Sequence, residues 1–209
     1  MKKIILGAVV LLCVSVLGAG LIFAADTTLN LSADIPAATS VSVNVSSVNS
    51  STNQFSALSG SSLTFNPMTL DQTNKIYLPN HYFALDVGPA GGAGSINVTL
   101  TYTEGIPPAG QTHGLGWKST ATFVRVVGAT GNQTETGLTA HGPKKLLKDL
   151  NGETILSSEV SGGFFRMYLG IVTLDPAAAF KDPAGAEVFS NADKPGNYSG
   201  TLLISTALL

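Results

Sequence analysis

The sequence predicts an all-β fold, arranged as an antiparallel β-sandwich. Several segments alternate apolar and polar residues with the period of two that a half-buried strand requires. Clusters of Gly, Pro, Asn and Ser separate these segments, as expected for turns. No repeating βα pattern is present, so the strands are expected to pair as neighbouring antiparallel strands.

The composition is typical of an extracellular β protein and excludes several other classes. Charged residues make up 11% of the 209-residue chain, against about 25% in an average protein. The net charge of −2 provides no basic surface for phosphates, so no nucleic-acid partner is expected. A hydrophobic content of 44% excludes a disordered chain. The single cysteine, Cys13, excludes a disulfide framework.

Residues 1–25 have the layout of a secretory signal peptide. A basic start and the apolar residues 4–23 precede Ala24 and Ala25, which are small enough for cleavage. A retained membrane anchor is the less favoured alternative, although this apolar segment is long enough to span a bilayer. Leu11 and Leu12 precede Cys13 where a lipoprotein would carry small residues. We therefore expect secretion through the general export pathway and a mature chain without cysteine.

Seven segments are predicted to be strands. The first covers residues 27–35, and Pro36 ends it because proline cannot donate to a ladder. One face of this strand is apolar and consists of Leu29, Leu31, Ala33 and Ile35. The other predicted strands lie at residues 41–45, 82–87, 96–102, 121–127, 164–172 and 198–208.

One segment, residues 142–150, is predicted to be a helix of about two turns. Pro143 suits a first helical turn, and Leu146, Leu147 and Leu150 have helical spacing. A helix this short is expected to be an insertion into the sandwich. With no internal repeat and no linker, residues 37–209 are predicted to form a single domain, preceded by an extension at residues 26–36.

No catalytic centre, metal site or cofactor is predicted. His81, His113 and His141 are too widely spaced for the paired ligands of a metal site on one strand or helix. Residues 149–153 lack the regular oxygen ligands of a calcium loop and are better explained as a turn. No Gly-x-Ser-x-Gly nucleophile elbow occurs. We therefore expect a protein that is not an enzyme, and a secreted hydrolase is the least favoured function.

The two ends of the mature chain carry the clearest functional pattern. Residues 27–35 combine an apolar face with an unpaired strand edge, which makes them a ready partner for another sheet. At the other end, Gly196 is the fourteenth residue from the C-terminus. It lies in a turn that leads into the last strand, where Tyr198, Leu202 and Ile204 alternate with polar or small residues.

On these residues the chain resembles chaperone–usher fimbrial (pilus) subunits, most closely the disulfide-free alpha-class major pilins of the colonisation-factor type. Residues 27–35 are similar to the donor strand of that family, and Gly196 matches the glycine that such subunits carry at this distance from their end. Leu208 departs from the family, in which many members have an aromatic residue next to the last. Residues 103–163 match no part of the family pattern.

The resemblance implies an incomplete immunoglobulin-like sandwich that lacks its final strand. A periplasmic chaperone would fill the gap first, and the N-terminal strand of the next subunit would replace it at the outer-membrane usher. The implied partners are other copies of the chain, the chaperone, the usher and a host or surface receptor, and the implied location is a fimbrium on the cell surface. The implied donor residues are Leu29, Leu31, Ala33 and Ile35, and the implied acceptor-groove residues are Gly196, Tyr198, Leu202 and Ile204.

Two other functions remain open besides the hydrolase. One is a secreted filament protein that exchanges an N-terminal strand without a chaperone or usher. The other is a monomeric carbohydrate- or surface-binding sandwich, in which residues 27–35 fold back onto their own sheet. A hairpin with the next strand is one form of this fold-back.

Overall fold

The computed structural model describes residues 29–34, 41–89, 96–127, 139–140, 142–155, 163–174 and 181–208. Most of these residues belong to β-strands, and the all-β class predicted from the sequence is confirmed. The predicted signal peptide at residues 1–25 lies outside the described residues, as do Ile35 and His141. Within the described part of the chain, no helix is long and apolar enough to cross a membrane.

The described strands are β1 (Leu29–Asp34), β2 (Val41–Asn49), β3 (Phe55–Leu58), β4 (Ser62–Thr64), β5 (Met68–Asp71), β6 (Ile76–Pro79), β7 (His81–Pro89), β8 (Ile96–Glu104), β9 (Ser119–Val127), β10 (Thr139–Ala140), β11 (Lys145–Leu146), β12 (Glu153–Ile155), β13 (Gly163–Ile171) and β14 (Tyr198–Leu208). One short helix, α1, covers Leu115–Lys118, and a 3₁₀ turn covers Leu147–Asp149. A strand is present at each of the seven predicted positions.

Two sheets form the sandwich. The first has five strands in the order β12-β8-β14-β1-β4, and the second has the order β10-β9-β13-β7-β2-β3, with β11 also pairing with β9. β5 and β6 form a separate hairpin. All described strand pairs are antiparallel except β1–β14, which is parallel.

The hydrophobic core lies between these two sheets. Successive side chains of a strand point to opposite faces, so every second residue of a central strand enters the core. The second sheet contributes Phe83, Leu85, Phe123, Phe165, Met167 and Leu169, and the first contributes Leu63, Val98, Leu100, Tyr198, Leu202 and Ile204. All of these side chains are buried. Apart from Leu63, all of these residues lie in strands that the alternation in the sequence predicts.

The predicted helix at residues 142–150 is wrong in type and in length. Lys145 and Leu146 form β11 and pair with Ala121 and Thr120 of β9. Only Leu147–Asp149 turns, as a single 3₁₀ turn. The helical spacing of the leucines reflects burial, because Leu146, Leu147 and Leu150 are all inaccessible to solvent. Pairing with β9 holds the backbone of Lys145 and Leu146 in an extended conformation, where the pattern predicted a helix.

The face of the second sheet that points away from the core also holds buried residues. Arg166 is fully buried, and its Nε and Nη2 atoms donate to the two carboxylate oxygens of Asp86 at 2.5 and 2.8 Å. The guanidinium carbon lies between 4.7 and 5.8 Å from the ring centres of Phe55, Phe164 and Tyr168. Two-point hydrogen bonding and ring contacts suit a planar guanidinium that is removed from water.

Candidate functional site

The candidate site is the position of β1 inside the first sheet. β1 pairs in parallel with β14 and antiparallel with β4, so it lies between them. β14 and β4 are not neighbours of each other in the sheet. Without β1, each of them would present an unpaired edge, and the core beneath would lose part of its cover. β1 is therefore an N-terminal strand that completes the sheet.

The register explains the alternation of the N-terminal strand. Apolar positions of β1 are aligned with buried positions of its neighbours, namely Leu29 with Tyr198, Leu31 with Gly200 and Leu63, and Ala33 with Leu202. Polar positions are aligned with exposed or half-buried ones, namely Asn30 with Ser199 and Thr64, and Ser32 with Thr201 and Ser62. The register therefore aligns the apolar positions of β1 with positions of β14 and β4 that are buried.

A tyrosine takes up the space beside the glycine at the centre of this site. Gly200 carries no side chain, and a Cβ there would lie only 2.5 Å from two ring carbons of Tyr102 on β8. The Tyr102 hydroxyl donates to Oε1 of Glu104 at 2.8 Å. Burial, with the neighbouring carboxylate of Glu104, raises the pKa of the Tyr102 phenol above its usual range. The Tyr102 ring therefore lies against Gly200 of β14, and Gly200 is the residue with which Leu31 is in register.

Tyr198 anchors the beginning of β14. Its side chain is fully buried, its hydroxyl donates to the carbonyl oxygen of Lys194 at 2.8 Å, and its ring meets Phe189 edge-on at 4.9 Å between ring centres. Burial, followed by the charge of Asp193, raises the pKa of Tyr198 to about 12. A phenol that stays neutral and hydrogen-bonded fixes the strand end that receives Leu29.

The other predicted groove residues lie around this register. Gly196 precedes β14 by two residues, with φ at 147°, and a Cβ there would come within 2.9 Å of Pro108. A glycine at this position is therefore explained by backbone conformation and a close loop contact. Leu202 lies beside Ala33, whereas Ile204 is buried one residue beyond the last aligned pair, Asp34 and Leu203.

No pattern in the sequence predicts β4, the second neighbour of β1. β4 is only three residues long, and Leu63 is its one apolar residue. It is held by His81, whose Nε2 lies 2.9 Å from the carbonyl oxygen of Thr64. In the single chain, residues 29–34 fold back onto their own sheet, but they pair with β14 and β4 and not as a hairpin with β2.

The described histidines serve as hydrogen-bond partners in separate places. His113 contacts the carboxylate of Glu187 and stacks on Trp117. His81, on β7, contacts the carbonyl oxygen of Thr64 on β4. Within the described ranges, no group of three or more His, Cys, Asp or Glu residues is close enough to hold a metal ion.

An open cleft of about 620 Å³ lies apart from the β1 site. The rings of Phe55, Tyr82 and Tyr168 contribute to its wall, and its polar lining includes Asn53 and Thr122. Aromatic rings beside amide and hydroxyl groups are the surface that stacks and hydrogen-bonds a sugar ring. Lys144, also in the lining, forms an ion pair with Asp182 at 3.1 Å.

Fold and site together define a class of protein, an all-β sandwich whose N-terminal strand fills an interior position in its own sheet. Comparisons with protein families, with curated proteins and with solved structures give no match to this chain.

Proposed function

We propose that this protein is a structural subunit of an extracellular pilus, or fimbria, that polymerises by donor-strand exchange and supports surface adhesion. The observation that carries the proposal is the position of β1 between β14 and β4. A strand with an apolar face that fills an interior position of a sheet is suited to exchange between identical copies. A neighbour's copy of residues 29–34 would offer the same apolar row to the same edges.

The energetics of such an exchange are close to balanced. Burial of each large apolar side chain contributes roughly 1.5–3 kcal/mol, and each ladder hydrogen bond adds about 0.5–1.5 kcal/mol. Ordering the strand costs about 1–2 kcal/mol per residue. Because a donated strand makes the contacts that the chain's own strand makes, concentration and slow strand withdrawal would maintain a polymer.

The proposal includes the assembly partners that the resemblance implies. An open gap between β14 and β4 would leave core side chains and two strand edges exposed, which promotes aggregation. A periplasmic chaperone that supplies a strand would prevent this until an outer-membrane usher joins the subunits. Insertion of the chain's own β1 is the competing way to close the gap. If the purified chain forms filaments on its own, assembly requires neither a chaperone nor an usher.

The decisive experiment compares three purified chains by sedimentation and thermal unfolding. They are the mature chain, a chain lacking residues 1–36, and that shortened chain with residues 26–35 appended after Leu209 through a short Gly/Ser linker. An appended strand would turn back along β14 and pair antiparallel, whereas β1 pairs in parallel. We expect polymers from the mature chain, aggregation or chaperone dependence of the shortened chain, and a stable monomer from the appended one.

A matched control tests whether the apolar row drives the rescue. Serine at Leu29, Leu31 and Ile35 of the appended copy keeps the backbone ladder but removes the buried apolar area. We expect most of the gain in melting temperature to be lost. A shortened chain that is already a stable monomer, unchanged by the appended strand, would show that the sandwich is complete without β1 and would refute donor-strand exchange.

The second candidate function is a monomeric surface- or carbohydrate-binding module. Two observations favour it: β1 closes the sheet of its own chain, and the cleft beside Tyr82 and Tyr168 has the lining that suits a sugar. A mature chain that remains monomeric at high concentration, and whose sugar binding is lost on Tyr168→Ala, would support this function over the filament.

A further inference from the structure

We propose that Lys118 and Asp193 condense to an intramolecular amide bond, with Glu187 as the proton-transferring group. Lys118 is the last residue of α1 and immediately precedes β9, and Asp193 lies in the segment that leads into β14. The amide would therefore tie the second sheet to the strand that receives β1. The proposal is independent of the filament function.

The reacting groups are close and removed from water. Nζ of Lys118 lies 2.8 Å from Oδ1 of Asp193, and their side chains are 3% and 12% exposed. The Phe189 ring centre lies 5.2 Å from the same nitrogen, on a residue that is itself buried. For the amide to form, one proton must pass from Nζ to the carboxyl group along this short hydrogen bond, which gives a neutral amine and a neutral carboxylic acid. These are the two forms that react to give an amide.

The carboxyl group is held for attack at its carbon. Gln111 donates from Nε2 to Oδ1 of Asp193 at 3.0 Å, and the backbone N–H of Ser190 donates to Oδ2 at 2.7 Å. Donors aimed at both oxygens stabilise the negative charge that develops on one of them when the amine adds. The lysine nitrogen is itself oriented by its hydrogen bond to the carbonyl oxygen of Val188 at 3.0 Å.

A second carboxylate is placed to move the protons. Oε2 of Glu187 lies 3.5 Å from Nζ of Lys118, and its Oε1 contacts Nδ1 of His113 at 2.5 Å. When Nζ forms a bond to Cγ of Asp193, the carboxylate of Glu187 accepts a proton from the nitrogen. It returns that proton to the departing hydroxyl, the carbon–oxygen bond breaks, and one water molecule leaves. Glu187 is regenerated, and no oxidant, reductant or cofactor is required.

Such a bond would give this chain a covalent constraint that its cysteine content does not provide, since Cys13 is its single cysteine. A cross-link between the start of β9 and the entry to β14 would resist separation of the two sheets.

The test is mass spectrometry of the full chain after export and purification. We expect digestion to release a branched peptide that contains both Lys118 and Asp193 and that is lighter than its two parts by one water. Lys118→Ala and Asp193→Ala should lose this peptide, and Glu187→Gln should retain both partners but form the bond more slowly or not at all. Lys144→Ala, in the separate ion pair with Asp182, should leave the cross-linked peptide unchanged.

The wild-type measurement alone decides the proposal, even if a variant fails to fold. Two separate peptides of full mass, from protein kept folded for days at neutral pH, would show that Lys118 and Asp193 form an ordinary ion pair. A cross-link at full yield in Glu187→Gln would retain the bond and overturn the role of Glu187.

Discussion

Leu31 is in register with Gly200, across the only parallel strand pair among the described residues. On its other side Leu31 faces Leu63 of β4, which is buried. The strand thus places a large apolar residue between a glycine and a leucine. The ring of Tyr102 occupies the space next to that glycine, so a side chain at position 200 would overlap it.

A charge at Leu31 should be far more damaging than a charge at its neighbour. Leu31→Asp would place a carboxylate at the position aligned with Gly200 and with the buried Leu63, and an uncompensated buried charge costs roughly 3–5 kcal/mol. Ser32→Asp is the matched control, because Ser32 is aligned with the exposed residues Thr201 and Ser62. Chemical unfolding of both variants gives the comparison. Equal losses of stability, or of polymer, would show that the two faces of β1 have been assigned the wrong way round.

Gly200 should tolerate no side chain as long as Tyr102 is present. A Cβ at this position would overlap the ring of Tyr102, which is buried and hydrogen-bonded to Glu104. We expect Gly200→Ala to cost about 1–3 kcal/mol, the usual effect of overpacking a core. Combining it with Tyr102→Ala should cost less than the sum of the two single changes, because the smaller residue leaves room for the methyl group. Strictly additive unfolding free energies would contradict direct contact between these positions.

The strands and the core are predictable from the sequence because burial on one face leaves a period of two. The alternation places Phe165, Met167, Leu169 and Ile171 on one face of a strand, and all four side chains are buried. β4 cannot be predicted from the sequence, because three residues are too few to show an alternation with a period of two. The helix prediction at residues 142–150 fails because three buried leucines fit a turn after a short strand as well as they fit a helix.

The candidate site is predictable only in part. The alternation of β1 identifies its apolar face, but which edges it joins depends on long-range pairing that local patterns do not contain. Lys118 cannot be associated with Glu187 and Asp193 from the sequence, because it lies in a segment distant from the one that holds these two carboxylates. The same holds for Arg166 and Asp86, which are 80 residues apart.

Removing one partner of the buried pair Arg166–Asp86 should destabilise the fold strongly. Asp86→Ala would leave a fully buried guanidinium without its carboxylate, at a cost of about 3–5 kcal/mol. The double change Asp86→Leu with Arg166→Met removes both charges, and we expect it to be much closer to the wild type. Thermal unfolding of the three chains makes the comparison. If the double variant is as unstable as Asp86→Ala, the pair does more than neutralise its own two charges, and its hydrogen bonds and ring contacts stabilise the sheet directly.

Stability should fall in alkaline solution as Tyr198 is forced to ionise. Its folded-state pKa, about 12, lies above the usual value of 10 because the phenol is buried. The folded chain therefore holds this proton more tightly than the unfolded chain, so the stabilisation is complete below pH 10 and is lost as the pH rises towards 12. Tyr198→Phe removes the titrating group and should make stability less dependent on pH in this range.

The same variant has a predictable cost at neutral pH. It loses the hydrogen bond to the carbonyl of Lys194, worth about 0.5–1.5 kcal/mol. The wild type should therefore be more stable than Tyr198→Phe near neutrality, and this advantage should shrink as the pH rises above 10. Parallel stability curves for the two chains across this range would show that Tyr198 ionises equally in both states. The hydroxyl would then be open to solvent, and the strand end that receives Leu29 would be less tightly anchored than the structure indicates.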